Sequence, residues 1–290
     1  MATLTESQAQ ASLALTTAFK AEQNRKAAEM AALVALYYRQ KVVVEDPESV
    51  QAWLDIVIPR IISRSDASAR EAAAFYRALR RLEVPAAEEF SPIPALGAIN
   101  VGVEKSLKSV GPFDYMNKMR VISALDLSPA AKRAAMVDAK QVTSEKLAAA
   151  TVRHAQAGGR QTIHENSARD AVALGWIRVT RARPCAFCAM LASRGIHYRA
   201  FDEGSFDLSD ARFSGEGDAK VHDECGCAMK AVFVEEDPVL DRNQQWIDMW
   251  ERWGAGGGDA ALRFRRAYDH WLKTGDYMTF DEANEGLRAA

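Results

Sequence analysis

Gly175-Trp176-Ile177-Arg178-Val179-Thr180-Arg181-Ala182-Arg183-Pro184-Cys185-Ala186-Phe187-Cys188 is the stretch where this 290-residue chain changes character. Residues 176–180 mix apolar, polar and β-branched side chains, the texture of a short strand, and they run straight into a Cys-x-x-Cys turn. Everything before this point reads as helix. Beyond the cysteines lie two more candidate strands, Ile196-His197-Tyr198-Arg199-Ala200-Phe201 and Met229-Lys230-Ala231-Val232-Phe233-Val234, with an acidic, glycine-containing stretch from Asp202 to Lys220 between them that reads as an exposed loop. The pattern predicts an α+β protein. It has a mostly helical domain over 1–174, a small metal-clipped domain with a short β-sheet over 175–237, and C-terminal amphipathic helices over 238–290.

Toward the N-terminus, Thr5 to Gln40 has no glycine or proline and is rich in helix formers, which predicts one long helix. Asp46-Pro47 carries the signature of an N-cap followed by proline at the first helical position. Trp53, Ile56 and Val57 fall on one face of the helix this opens, and Pro59 is expected to end or kink it. A further helix is expected from Ser65 or Asp66 to Pro85. Phe90-Ser91-Pro92-Ile93-Pro94 is a loop. Ser128-Pro129 repeats the cap signature, and the next break is Gly158-Gly159. Forward of the cysteines, Trp246, Met249, Trp250 and Trp253 share one face of a helix after Pro238, to be packed in the core or presented to a partner. Gly254-Ala255-Gly256-Gly257-Gly258 separates it from a last amphipathic helix over about 259–273.

Charge divides at the same boundary. The total is close to neutral, with 37 basic and 39 acidic residues, yet residues 1–183 carry 25 basic against 19 acidic and residues 184–290 carry 12 against 20. Within 101–183 the ratio is 14 to 7, which suits either a solvated helix surface or contact with nucleic-acid phosphates. Charges interrupt the apolar runs well short of the roughly 18–20 residues a membrane span needs. Met1 to Ser7 has neither a basic nor an apolar leader region, so the expectation is a protein made and kept in a cytoplasm.

All four cysteines of the chain lie between 185 and 227. Cys185 and Cys188 on a tight turn present two thiolates at the separation a tetrahedral zinc ion accepts, and His222-Asp223-Glu224-Cys225-Gly226-Cys227 can close the site from a second turn. Five candidates compete for four positions: Cys185, Cys188, Cys225, and either His222 or Cys227. The expected cofactor is one structural Zn. Pairing of Cys185 with Cys188, or thiols that are simply buried, would account for the cysteines in other ways. Glu224 beside the ligands is expected to face solvent and not to serve as a general base.

The order of helical region, strand with Trp176, proline-preceded Cys-x-x-Cys, variable loop and His-x-x-Cys-x-Cys resembles the phage Mu gpF-like minor head proteins, the head-morphogenesis family of tailed phages, in its actinobacterial siphophage form. The specific match covers about 165–235. The family commonly has proline after the histidine and arginine between the last cysteines, where this chain has Asp223 and Gly226. The resemblance implies a minor capsid protein assembled in the host cytoplasm into the phage head, with portal, scaffold and major capsid proteins as partners, possible contact with packaged DNA, and no membrane. It also implies an alternative, since some such proteins are described as capsid maturation proteases.

The residues themselves give catalysis little to stand on. There is no Gly-x-Ser-x-Gly elbow and no His-Glu-x-x-His. His164, Ser167 and Asp170 are close in sequence, and His197 has Asp202, Ser205 and Ser209 within reach along the chain. Such neighbours are common by chance, so the catalytic residues stay unknown. His154 and His270 read as helix-surface residues.

Overall fold

A computed structural model describes residues 3–99, 102–198, 226–254 and 260–285. The stretch 202–220, together with His222 and Cys225, lies outside them. Two long helices form the platform: α1 (Glu6–Lys41) and α2 (Pro47–Glu83). Thr5 opens α1 with a capping box closed by Gln8, and Asp46 caps α2 ahead of Pro47. The buried stripe of α1 is made of small and polar residues, Ser12, Thr16, Gln23, Ala27 and Ala31, then Val34 and Tyr38. A stripe that slim lets the neighbouring helices come close.

The helix α2 corrects the sequence expectation. It runs through Pro59 without a break for 37 residues, and no new helix starts at Ser65 or Asp66. Proline removes one N–H and frees the carbonyl of Asp55, four residues back. Both residues lie on the exposed face, where water can satisfy that carbonyl. The opposite face buries Trp53, Leu54, Val57 and Ile61, and their burial outweighs the local cost.

A short α3 (Val103–Lys108) passes through a π-helical turn at Ser109–Phe113 into α4 (Asp114–Ala124). After Ser128, which caps it as expected, α5 (Pro129–Ala155) lies along α1 and is followed at once by α6 (Ala157–Arg169) against α2. Gly158 and Gly159 do separate two helices, but they sit inside the first turn of the second. A Cβ on Gly158 would lie 2.3 Å from the backbone oxygen of Ser65, and one on Gly159 would lie 2.4 Å from Ser68 Oγ. The glycines therefore set how closely α6 approaches α2.

The sheet has the order β2-β1-β3, with β1 (Gly175–Val179) antiparallel to both β2 (His197–Tyr198) and β3 (Ala228–Val232). Trp176 pairs with Ala231 and Ile177 with Lys230. Every residue of β1 and β3 is buried, because helices cover both faces. One face, with Trp176, Met229 and Ala231, packs on Phe75, Tyr76, Leu79 and Ile163 of the helical platform. The other, with Ile177, Val179 and Val232, meets Val239 together with Leu13 and Phe19 of α1.

A third core joins α7 (Ala186–Ala192), α8 (Pro238–Trp253), α9 (Ala260–Thr274) and α10 (Phe280–Glu285). Trp246, Met249 and Trp253 are buried there against Phe264 and Tyr268, so the tryptophan face is core. Among the described residues no helix is long and apolar enough to cross a membrane.

Candidate metal centre

Three of the five predicted ligands fall within the described residues: Cys185 and Cys188 share one turn, and Cys188 and Cys227 are buried neighbours. Cys185 is the N-cap of α7, and its Sγ accepts the backbone N–H of Cys188 at 3.3 Å. An amide aimed at sulfur favours the thiolate, the form that binds metal. Cys185 is exposed, whereas Cys188 and Cys227 are buried against each other. Cys227 immediately precedes β3, and Cys185 follows β1, so pairing of the two strands places the two halves of the motif side by side. The phenol of Tyr268 is held above its usual range by burial first, with the charges of Cys185, Cys188, Asp269 and Cys227 adding to it. The same hydroxyl donates to the carbonyl of Pro184, fixing the turn that carries Cys185.

The second half of the motif is tied to the platform. Asn24 of α1 donates its amide to the carbonyl of Gly226 at 3.1 Å and accepts from Gln156 at 2.7 Å. A Cβ on Gly226 would lie 3.3 Å from Asn24 Oδ1, so glycine between the last cysteines suits this close approach. Among the described residues no group of three or more His, Cys, Asp and Glu side chains is arranged to hold a metal ion. The donor set fits zinc in its chemistry, with two soft thiolates on a helix-capping turn and a third from the strand alongside.

The other candidates are dispersed. His164 stands edge-on to Trp176 at 6.0 Å between ring centroids. Asp170 turns away to Arg80, at 2.7 Å, and to Tyr76, at 3.1 Å. The acid is thereby committed to a buried ion pair and is not orienting His164. His197 lies in β2 opposite Trp176, while Asp202, Ser205 and Ser209 lie outside the described residues. His154 corrects the sequence reading: it is 7% exposed, near the end of α5, with no hydrogen-bond partner for Nε2. Burial, with Arg153 and Arg160 adding to it, pushes its pKa down to about 3. His270 is half-buried.

Sequence reasoning missed the buried ionic cluster behind the sheet. Lys230 of β3 donates to Glu83 at the end of α2 and to Asp237, the N-cap of α8, while Ser12 of α1 also donates to Glu83. The Lys230, Glu83 and Asp237 side chains are fully enclosed. Lys230 and Glu83 are 147 positions apart, and no local pattern marks them as partners.

A short antiparallel sheet with cysteines flanking its strands, seated on a platform of long helices, defines an α+β protein. The family model described as VG15 protein matches residues 7–253, from α1 through the last turn of α8, and the chain belongs to that phage protein family. It is similar to the Gene 15 protein of Mycobacterium phage D29, with 29% identity over 147 residues, covering 43% of this chain and 54% of that protein. The chain thus spans about half the length of the curated relative it matches. No solved structure matches it.

Proposed function

We propose that this phage protein is a head-morphogenesis minor capsid protein of the gpF-like type, acting structurally in procapsid assembly near the portal and located in the virion. The observation that carries the reading is the phage family match, which spans both the helical platform and the sheet with its flanking cysteines; the adjacency of Cys188 and Cys227 agrees with it. The strand, Cys-x-x-Cys and Cys-x-Cys order is the part of the sequence that resembles the gpF-like proteins. In this proposal a structural zinc ion is held by Cys185, Cys188 and Cys225, with His222 or Cys227 as the fourth ligand. Its role is to lock a small, loop-rich region whose own core is limited. The partners are the portal, scaffold and major capsid proteins.

Two measurements test it. Metal analysis of the purified chain should give one zinc per molecule, reduced by Cys185→Ser; a metal-free wild type overturns the clip. Co-expression with the portal, scaffold and major capsid genes, followed by sedimentation, should place the chain in procapsids at a few copies each. Its absence from procapsids overturns the assembly role.

A further inference from the structure

Beside the cysteine turn, and not part of it, a cavity of about 510 Å³ opens between α1, the chain leaving β1 and the first turns of α8. Lys20, Arg181 and Arg242 reach it from these three separate elements, against one carboxylate, Asp241. Its floor is aliphatic, with Leu13, Val179 and Val239. Thr16, 1% exposed, lines it as well.

We propose that this cavity is a binding site for the free C-terminal carboxylate of a partner polypeptide that ends in aliphatic residues. The cations supply charge complementarity, and the Arg242 guanidinium suits the fork of a carboxylate. The aliphatic floor accommodates the side chain next to the carboxylate, and the volume is that of a cleft for a small ligand or a few residues of chain. Nucleic acid is the poorer fit. The residues lining the cavity include no aromatic ring on which a base could stack, and a concave site of this volume does not track an extended phosphate backbone. The proposal is independent of the zinc clip and of the head-assembly reading.

The test is titration of the full chain with the fluorescein-labelled peptide Ala-Ala-Ala-Leu-Leu in free-acid and C-terminal amide forms. The free acid should bind about tenfold or more tightly than the amide, as expected of a charge-assisted contact. Lys20→Met and Arg242→Gln should each remove most of that difference. Lys20 also donates to the carbonyl of Thr180, so its variant can disturb the fold. Arg242 is exposed and its variant keeps the test decisive, with circular dichroism and melting temperature unchanged from wild type. Equal binding of acid and amide overturns the proposal, as does a difference that Arg242→Gln leaves intact. Inorganic phosphate displacing the peptide at equal concentration would make this a general oxyanion site and overturn the peptide assignment. A single-stranded oligonucleotide that binds in its place, with affinity falling steeply as salt rises, would do the same.

Discussion

The ammonium of Lys230 lies 2.8 Å from the carboxylate of Glu83, and neither side chain is exposed at all. With Asp237 on the other side of the lysine, two acids and one base share a space that water does not reach. Burial and the charge of Asp237 push Glu83 above the usual carboxylate range, and Lys230 opposes them. The cluster joins the end of α2, the middle of β3 and the cap of α8, so it holds the sheet to the helices on both sides of it.

Removing the base should therefore be severe. Lys230→Met leaves two carboxylates buried without their cation, and we expect a loss of about 3–5 kcal/mol in urea unfolding, with Lys230→Met/Glu83→Leu recovering part of it. A single variant within about 0.5 kcal/mol of wild type, the scale of a neutral surface change, would show that the cluster is not the fastener described.

Gly158 and Gly159 should differ although they are neighbours. A Cβ at Gly158 meets the backbone oxygen of Ser65, which cannot rotate away, whereas at Gly159 the first obstacle is the Ser68 hydroxyl. Gly158→Ala should cost at least the roughly 1–3 kcal/mol of an overpacked core, and Ser65→Ala should not rescue it. Gly159→Ala should be milder, and Ser68→Ala should relieve it. Thermal melts of the four variants and the two double variants decide between these outcomes. Equal effects at the two glycines would contradict a contact between α2 and α6 set by backbone at one glycine and by a side chain at the other.

His154 makes a pH prediction with a definite sign. Its folded pKa is about 3 against 6.5 for an ordinary histidine, so between these values the unfolded chain takes up a proton that the folded chain refuses. Its contribution is fully present above pH 6.5 and is lost as pH falls toward 3, amounting to about 2 kcal/mol by pH 5. His154→Leu should flatten the stability profile over that interval, as read from denaturant midpoints. An unchanged slope would mean that His154 charges freely in the folded protein.

Arg80 pairs with Asp170 through Nε at 2.7 Å, and Tyr76 adds a bond from its hydroxyl. Arg80→Met should destabilise by about 3–5 kcal/mol by stranding the buried acid. Asp170→Asn should cost less, because the amide oxygen still accepts from Tyr76 and Arg80. The reverse order of severity would assign Asp170 a role other than partner to Arg80.

Much of the architecture was legible because it rests on local rules. The caps at Asp46 and Ser128, the strands begun at Gly175 and near Met229, and the shared face of Trp246, Met249 and Trp253 all follow from spacing within a turn or two of chain. Pro59 misled because the penalty of proline depends on which face it occupies, and that is decided by the core on the far side of the helix. His154 misled for a similar reason: the neighbours that bury it come from other elements. The cysteine spacing was readable as a motif, and the pairing of β1 with β3 accounts for Cys227 lying beside Cys188. Lys230, Glu83 and Asp237, like Lys20 and Arg242, were invisible as partners, since only the folded chain brings them together.

Lys20 and Asn24 are four residues apart on α1. One holds the carbonyl of Thr180 just beyond β1 and the other the carbonyl of Gly226 just before β3. In mechanical terms α1 is a splint across the mouth of the strand pair. A load arriving at the cysteine turns would pass into the axis of a 36-residue helix before it could peel the strands apart.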